Sequence, residues 1–437
     1  MRLAIFESEL AAGLEPVAWV RPVFELLTGH FTPRERWLKA LQPDEWGVLV
    51  RPHLVDTYRE AAPDAYVNDP RWLAGEPTLL INGQWLCDPS AIPEFNADYV
   101  GIIDGEIAWI VCDPLEAGLL SDHRLDDTLA SLAQSRKRVA AAGQLIRRPW
   151  DLVGFNDSQI RLDHTFRQQL STGDSPKYSA PLTIIGPAGD VHVDPTAKID
   201  PFVVFDATGG PIYIERDAVI QAFTRIEGPC YVGPGTQLFR TNLRAGSSFG
   251  PMCRVGGEIE NSVLQGFSNK YHDGFLGHSY VGSWVNLGAI TTNSDLKNDY
   301  SAVSVPIGGT SIATGEKKIG CFLADHVKTG LGSLFNTGTA VGVMSMILPA
   351  GELLPKHIPS FSRIWHGELQ ELPSLEPSLE TAAIAMGRRG QNFTITQERL
   401  LRSVWHLTKD ERQKAFSRQA GVSTTLATTN LSTTLGR

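Results

Sequence analysis

The chain of 437 residues lacks any long apolar run. A membrane-spanning helix needs roughly 18 or more consecutive apolar residues, and no segment of the sequence reaches that length. The first residues meet Glu7 and Glu9 before the apolar core of a secretory signal peptide could form. We therefore expect no membrane span and no secretion, and we predict a cytoplasmic protein.

Cysteine is also scarce, and its spacing argues against the usual metal motifs. The five cysteines are odd in number, widely separated and free of any Cys-x-x-Cys pair. This pattern is typical of reduced thiols in a cytoplasmic protein. We therefore predict no structural metal held by Cys87, Cys112, Cys230, Cys253 and Cys321.

An excess of positive charge is absent as well. Lysine and arginine number 39 against 48 aspartate and glutamate residues, which gives a formal charge of −9. This balance argues against general nucleic-acid binding, although it allows a local basic pocket for a phosphorylated metabolite. The expected partners are small molecules and further copies of the chain.

The second half contains instead a ladder of apolar residues at six-residue spacing. A period of six fits neither the 3.6-residue α-helix nor the simple alternation of a half-buried strand. It suits short strands wound into a prism with three faces per turn, with glycine and proline at the corners. The ladder therefore predicts a left-handed parallel β-helix of the hexapeptide-repeat type. Its rungs are Ile214, Ile220, Ile226, Val232, Leu238, Leu243, Phe249, Val255, Phe275, Val281 and Leu287, followed by Ile319, Val341 and Ile347.

The segments on either side of the ladder lack its six-residue repeat. Short apolar runs near the N-terminus alternate with polar stretches, which predicts an α/β domain with a helix near 125–142 and a hairpin turn at Asp104. The predicted bounds are 1–180 for the α/β domain, 181–355 for the β-helix, and 356–437 for a loop, short helices around 379–388 and 396–416, and a disordered end.

The residues of the coil carry a family resemblance. Segments 256–263, 266–277 and 285–289 resemble the acetyltransferase half of GlmU-type enzymes, the bifunctional N-acetylglucosamine-1-phosphate uridylyltransferases and glucosamine-1-phosphate N-acetyltransferases. A GlmU-like branch of sugar nucleotidyltransferases shares the Ser-Asn-Lys-x-His-Asp-Gly-Phe-Leu-Gly segment and an early Arg-Pro-x-x-Glu-Leu, here 21–26. The resemblance implies a Rossmann-like nucleotidyltransferase domain before the coil and a homotrimer with sites between subunits. It also implies a sugar phosphate, acetyl-CoA and UTP as partners.

His272 is the candidate catalytic residue. In N-acetyl transfer a neutral amine attacks a thioester, and a histidine of ordinary basicity can take the released proton. His272 aligns with the general base of the family that the chain resembles, and Asp273 beside it could bias its tautomer. The alternative is that His272 only packs in a turn of the coil.

The resemblance also implies a set of binding residues. Arg244 matches an arginine that anchors the phosphate of a sugar 1-phosphate, with Arg254 and Lys270 as further cations, although each of these two could be a solvated surface charge. The other implied positions are Asn269, Asn286 and Asn293 for the substrate, and Ala289 and Thr329 for acetyl-CoA.

Three positions depart from the family pattern. A lysine and two tyrosines line the acceptor site in the family, whereas this chain has Glu260, Phe275 and Ser294. Glu260 would repel a phosphate unless its side chain points elsewhere. The identity of the acceptor sugar therefore stays open.

The N-terminal domain departs further. The glycine-rich loop that should cradle a triphosphate is missing, and Gln84 stands where an aspartate should hold Mg²⁺. Arg21, with Arg34 and Arg36, could still bind a nucleotide sugar, and Asp88 or Asp104 could replace the lost Mg²⁺ ligand. The alternative is a decayed domain without nucleotidyl transfer.

The residues also allow two other classes of protein. A γ-carbonic-anhydrase-like coil would place His272, His278 and His326 on one zinc ion, but the first two are a single face apart. A non-catalytic coil could instead serve only as a trimerising scaffold. We predict a transferase that N-acetylates an amino-sugar 1-phosphate from acetyl-CoA, with nucleotidyl transfer from UTP as a second activity of the N-terminal domain.

Overall fold

The computed structural model describes residues 1–120, 124–170, 178 and 180–418. The predicted disordered end therefore lies outside the described residues. Within the described part, no helix is both long enough and apolar enough to cross a bilayer.

The first domain is built on a seven-stranded mixed sheet with the order β3-β2-β1-β4-β7-β6-β8. Strands β1 to β4 run parallel, and β7 runs antiparallel to both β4 and β6. All residues of β1 and β4 are buried, which explains their nearly continuous apolar sequence. The strands are β1 (Arg2–Phe6), β2 (Glu45–Leu49), β3 (Tyr66–Val67), β4 (Thr78–Asn82), β5 (Trp85–Leu86), β6 (Tyr99–Ile103), β7 (Glu106–Cys112), β8 (Lys137–Ala140) and β9 (Gln144–Leu145).

Seven helices of the described residues belong to this domain. The helix predicted near 125–142 ends at Gln134, because Lys137 to Ala140 pair with β6 as a strand. The predicted turn at Asp104 is present between β6 and β7, and Asp104 has a φ of 51° there. The helices are α1 (Pro33–Leu41), α2 (Val55–Ala61), α3 (Pro70–Leu73), α4 (Pro114–Ala117), α5 (Leu125–Gln134), α6 (Pro149–Gly154) and α7 (Asn156–Leu170).

The second domain is a coil of short parallel strands with three faces. The predicted fold class, an α/β nucleotidyltransferase-like domain followed by a β-helix, is confirmed. Face A comprises Lys198–Ile199, Val219–Ile220, the start of Gln237–Leu243 and of Arg254–Glu260, Asn269–Lys270, Lys328–Thr329, Met346–Leu348 and Ser362–Trp365. Face B comprises Thr183–Ile185, Val204–Asp206, Arg225–Glu227, the ends of the two long strands, Phe275–Gly277, Thr292–Asn293 and Leu334–Phe335. Face C comprises Val191–Val193, Ile212–Ile214, Cys230–Val232, Ser247–Phe249, Val263–Leu264, Tyr280–Val281, Cys321–Leu323, Thr339–Val341 and His357–Ile358.

Most ladder residues point into the coil, and the exceptions are Phe275 and Ile319. Ile319 is buried against residues of the first domain and not in the coil core. Ile214 through Val255, Val281 and Leu287 are buried in a single core. Phe275 is only half-buried, and Leu276, which is 2% exposed, takes the inward position instead. Pairs His357–Ile358 and Ser362–Trp365 still stack in register, so the coil continues past the predicted end at 355.

An antiparallel hairpin interrupts the coil between faces B and C. Its strands are Ser304–Ile307 and Thr310–Ala313, and the segment returns to the coil at Ile319. Three cysteines, Cys230, Cys253 and Cys321, lie in the coil core, and all five cysteines are buried free thiols.

Face C is covered by the first domain. The His30 ring stacks on Tyr231 with ring centroids 4.6 Å apart, and the main-chain N–H of Leu27 donates to the Tyr280 hydroxyl at 3.1 Å. The side-chain amide of Asn156 donates to the carbonyl oxygen of Gly246 at 2.8 Å. The two domains therefore share a packed and hydrogen-bonded interface.

The C-terminal helices close the structure. Helix α8 (Glu376–Gly387) lies over face A, and helix α9 (Ile395–Leu407) packs against α2 of the first domain. A further helical segment covers residues 409–418. The hydroxyl of Thr394, which caps α9, also donates to the carboxylate of Glu60 at 3.1 Å. The tail thus contacts both domains.

Candidate active site

His272 lies at the corner of the prism between faces A and B. The chain leaves face A at Lys270, turns through residues 271–274, and joins face B at Phe275. His272 is exposed, as are Tyr271 and Asp273 beside it. An exposed imidazole is free to meet a substrate, so this corner can supply the proton acceptor that the sequence predicts.

Lys270 holds this corner from inside the coil. Its side chain occupies an inward position between Val255 and Leu287, where the other rungs are mostly aliphatic, and it is 1% exposed. The ammonium donates to the carbonyl oxygen of His272 at 2.5 Å and to that of Gly256 at 3.3 Å. Burial lowers the pKa of Lys270 to about 8, although Asp273 opposes the shift. The predicted substrate contact is replaced by a contact with the main chain of the His272 loop.

Three other predicted residues meet on face A. They occupy equivalent positions on successive strands: Arg254 pairs with Asn269, and Asn269 pairs with Asn286. The side-chain amide of Asn269 donates to the side-chain oxygen of Asn286 at 3.1 Å. Lys328 continues the same column. Together with α8 they line a cleft of about 610 Å³. The structure thus brings half of the predicted substrate residues to one surface beside the His272 corner.

The two predicted acetyl-CoA residues lie on the next turns of the coil. The carbonyl oxygen of Ala289 accepts from the N–H of Gly332 at 2.7 Å. This hydrogen bond joins the corner that contains Ala289 to the corner of the next turn of the coil. The hydroxyl of Thr329 accepts from the N–H of Gly288 at 3.0 Å and lies 3.2 Å from the Thr291 hydroxyl. Thr329 is buried, so it shapes the corner next to Ala289 from inside.

Asn293 stands apart from this group. Its side chain is buried, accepts from the N–H of Gly277 at 2.9 Å and donates to the carbonyl oxygen of the same residue at 3.0 Å. The side-chain amide of Asn293 therefore links two successive turns of the coil, in the way that a main-chain hydrogen bond of a β-ladder would. Its contact with a substrate stays a prediction.

Arg244 lies on face B within a charged network. Its guanidinium contacts Glu258 at 2.8 Å and Glu260 at 3.7 Å, and Lys318 of the hairpin segment contacts Glu260 at 3.0 Å. Glu260 is thus bound between two cations. This pairing removes the free negative charge that the departure at Glu260 suggested.

The other two positions that depart from the family pattern, Phe275 and Ser294, also lie on or next to face B. Phe275 lies one strand beyond Glu258, and its ring fills the space beside Gly277. The Ser294 hydroxyl donates to the carbonyl oxygen of Leu296 at 3.1 Å. These contacts hold the start of the hairpin segment against the coil.

The three histidines of the zinc hypothesis are not brought together. His278 pairs with Asp295 at 2.8 Å. His326 is partly buried, and its removal from water lowers its pKa well below the usual range. Across the described residues, no group of three or more His, Cys, Asp or Glu side chains is arranged to hold a metal ion.

Arg21 of the first domain faces the coil. Its guanidinium forms an ion pair with Asp325, which is 2% exposed and also accepts from the N–H of Ser283 at 3.0 Å. Burial raises the pKa of Asp325, and the charge of Arg21 opposes this. Arg21 thus joins the domains, and nucleotide binding by this residue stays a prediction.

The residues around the predicted Mg²⁺ position do not fit that ion. The side chain of Gln84 is buried, donates to the carbonyl oxygen of Ile146 at 2.6 Å and accepts from the Ser8 hydroxyl at 3.3 Å. Asp88 caps its own turn by accepting from Ser90, and Asp104 is exposed in the β6–β7 turn. A neutral amide with both ends occupied is a poor ligand for a hard cation.

The crevice beyond the carboxyl ends of β1 and β2 is small and closed by an ion pair. Glu7 contacts Arg51 at 3.1 Å and accepts from the N–H groups of Val23 and Arg51, each at 2.9 Å. The cavity beside it measures about 160 Å³. Ligands of open α/β sheets bind at such strand ends, but here a short 3₁₀ segment, Glu9–Leu14, replaces the phosphate-binding loop.

Several cations of the site were missed by sequence reasoning. Lys318 lies on the hairpin segment, and Arg388 and Arg389 lie at the end of α8, far in sequence from the motif around His272. Lys328 directly precedes Thr329, one of the two predicted acetyl-CoA residues, and this adjacency is the one signal in the sequence that points to it.

Known proteins support the resemblance that the sequence suggested. The sugar nucleotidyl transferase family model matches residues 3–172. A bifunctional sugar-1-phosphate nucleotidylyltransferase/acetyltransferase of Sulfurisphaera tokodaii is 33% identical over 152 residues, which cover 32% of this chain and 36% of the relative. The bifunctional protein GlmU of Bordetella parapertussis is 28% identical over 234 residues, 47% of each protein. The chain thus spans about half, or less, of the length of these relatives.

Solved structures resemble the chain only weakly. The polySia-specific acetyltransferase NeuO has a TM-score of 0.25 at 10% identity, covering 41% of this chain and 81% of its own. The UDP-N-acetylglucosamine acyltransferase of Francisella novicida has a TM-score of 0.22 at 12% identity, covering 53% and 87%. Taken with the family match, the sequence relatives confirm the resemblance to sugar nucleotidyltransferases and to bifunctional GlmU-type proteins, at 28–33% identity.

Proposed function

We propose that the β-helix transfers an acetyl group from acetyl-CoA to the amine of an amino-sugar 1-phosphate. The observation that carries the proposal is the exposed His272 on a corner that a buried lysine fixes from within. The relatives named above combine nucleotidylyl and acetyl transfer, which supports the same reaction class.

In this reaction the imidazole of His272 accepts a proton from the sugar amine while the nitrogen attacks the thioester carbon. The carbon–sulfur bond then breaks, and the proton passes to the departing thiolate, which leaves as free coenzyme A. Arg244 is proposed to hold the sugar phosphate, because its guanidinium lies half-exposed on face B, the face that begins at the His272 corner. Pairing with Glu258 and Glu260 presents that guanidinium in a fixed orientation.

A homotrimer with sites between subunits is part of the proposal. Large apolar side chains project into solvent along the corner that carries His272, and exposed apolar surface of this kind marks interfaces. Two of them, Phe202 and Phe223, stack with ring centroids 5.6 Å apart and are 72% and 71% exposed. A second copy packed on this corner would shield His272 from water. The corner residues are Phe202, Phe223, Tyr271, Ile290 and Leu331.

Nucleotidyl transfer from UTP is the second candidate function, favoured by the family match over residues 3–172. This chemistry needs a phosphate-binding loop and a carboxylate for Mg²⁺. The 3₁₀ segment Glu9–Leu14, the side-chain amide of Gln84 and the ion pair of Glu7 with Arg51 do not supply them. No step through Mg²⁺ is therefore assigned. Free thiols and the acidic composition agree with the proposed cytoplasmic location.

An assay of the full chain with glucosamine 1-phosphate, acetyl-CoA and UTP tests both activities, with free thiol and pyrophosphate measured separately. His272→Ala should lower the rate of thiol release by about 100-fold or more, as expected for loss of a general base. His406→Ala, an exposed histidine of α9, is the matched control and should leave the rate unchanged. A scaffold predicts that both variants behave like the parent, and a parent without thiol release for any amino-sugar phosphate rejects acyl transfer.

A further inference from the structure

The cleft between face A and α8 gathers positive charge. It is lined by Arg254 and Lys328 from the coil and by Arg388 and Arg389 from the end of α8. Among the described residues, no aspartate or glutamate lines it and none of these four cations forms an ion pair. This is unusual in a chain with a formal charge of −9.

The cations converge without an anion between them. Arg254 donates to the carbonyl oxygens of Gly235 and Cys253, at 3.1 and 3.0 Å, and Arg389 donates to that of Met252 at 3.2 Å. Burial, with Arg389 as a further cause, lowers the pKa of Arg254. Burial likewise lowers the pKa of Lys328 to about 8, against the charge of Asp325. Like charges held this close are costly unless an anion joins them.

An aromatic pair borders the same cleft. The rings of Phe267 and Trp284 stack with centroids 4.4 Å apart and an interplanar angle of 19°. Both side chains line the cleft and are partly exposed. The ammonium of Lys328 donates to the main-chain carbonyl oxygen of Trp284, so this cation is held next to the aromatic pair. Amides of Asn269 and Asn286 lie between the two.

We propose that this cleft binds the diphosphate of a nucleotide, with its base against Trp284 and with α8 supplying two of the cations. Guanidinium groups match phosphate oxygens with paired hydrogen bonds, and aromatic faces stack on nucleobases. The volume of about 610 Å³ suits a ligand of that size. Coenzyme A and a nucleotide sugar both carry this chemistry. Binding in this cleft needs no proton transfer by His272, so it can be measured separately from the acyl transfer proposed above.

Calorimetric titration of the full chain distinguishes the two sources. Coenzyme A, UDP and inorganic pyrophosphate are titrated separately, at low and at moderate salt. Binding of coenzyme A but not UDP supports the site and assigns it to the acyl donor, whereas the reverse result supports it and assigns it to a nucleotide sugar. Affinity should fall as salt rises, because ion pairing with phosphate is screened.

The variant R388Q/R389Q should weaken binding by roughly tenfold or more, since two charged contacts are lost. Lys328→Met tests the coil side of the cleft in the same way. Arg363→Gln is the matched control, because Arg363 lies two strands further along face A and outside the cleft. His272→Ala should bind like the parent, which separates this site from the proposed reaction. Absence of binding by all three probes, or equal binding by the parent and R388Q/R389Q, overturns the proposal.

Discussion

The ammonium of Lys270 lies 2.5 Å from the carbonyl oxygen of His272, and the lysine reaches it from inside the coil. A cation in a column of aliphatic rungs is costly to bury. Its two contacts are both with main-chain carbonyl oxygens near the corner, at Gly256 and His272. The lysine therefore fixes the main chain of the loop that presents the imidazole.

The first prediction concerns this positioning role. Lys270→Met retains an unbranched side chain in the core but removes the donor to His272, so kcat should fall by about tenfold for one lost charged hydrogen bond. KM for acetyl-CoA should change little. Steady-state kinetics measures both constants, and Lys317→Met, an exposed lysine, is the control. An unchanged kcat with altered thermal stability would show a purely structural lysine.

The second prediction follows from the pKa of Lys270, which burial lowers from 10.5 to about 8. Between these two values the unfolded chain binds more protons than the folded chain, so stability should rise with pH across this window. The free energy of unfolding of the parent relative to Lys270→Met should increase by about 3 kcal/mol from pH 8 to 10.5. Urea titrations at several pH values measure it, and a flat difference contradicts the burial of a charged lysine.

The third prediction concerns the network around Glu260. Lys318→Met leaves Arg244 as the remaining cation in contact with Glu260, so less of the guanidinium is free for a phosphate. The contacts are partly exposed, and KM for the sugar 1-phosphate should rise only about threefold. Lys317→Met is the neighbouring control. Equal KM values for both variants would place phosphate binding away from Arg244.

The fourth prediction concerns the ion pair between the domains. Arg21→Met leaves the buried carboxylate of Asp325 without its cation and should cost about 3 kcal/mol of stability. The double variant R21M/D325N should recover part of this loss, because asparagine can still accept from the N–H of Ser283. Chemical unfolding measures the effect. Unchanged stability with lost UTP binding would instead support the nucleotide role predicted for Arg21.

The fifth prediction tests the assembly. Phe223→Glu places a charge on the apolar corner, far in sequence from His272. Because burying a carboxylate in the interface is costly, this variant should convert a trimer into monomers. Ile395→Glu changes another exposed apolar residue, on α9, and should not alter the mass. Analytical ultracentrifugation gives both masses. A trimeric Phe223→Glu variant would locate the interface elsewhere.

The sequence predicted the coil because its rungs repeat, but the register slips where the repeat changes length. A step of five separates Leu238 from Leu243, and another separates Leu276 from Val281. Counting back six from Val281 therefore assigns Phe275 to the core, although Leu276 occupies it. Lys270 illustrates a second limit. A lysine reads as a surface charge, and its inward position follows only from pairing with Val255 in the neighbouring strand.

The candidate site was predicted only in part for a similar reason. The motif around His272 is continuous in sequence, so its corner could be recognised directly. The cleft on face A depends on α8, which returns to the coil about a hundred residues after Asn286. Arg21 likewise meets Asp325 from the opposite end of the chain. Long-range partners of this kind leave no local spacing to detect.

The cover that the first domain forms over face C has a practical consequence for dissecting the protein. Cutting the chain near residue 180 would lay bare the rings of His30, Tyr231 and Tyr280 together with the apolar residues packed beside them. Neither fragment would then be a self-contained unit, and each would tend to aggregate through its freshly cut surface. Activity of one half is therefore best separated from the other by point substitution within the intact chain.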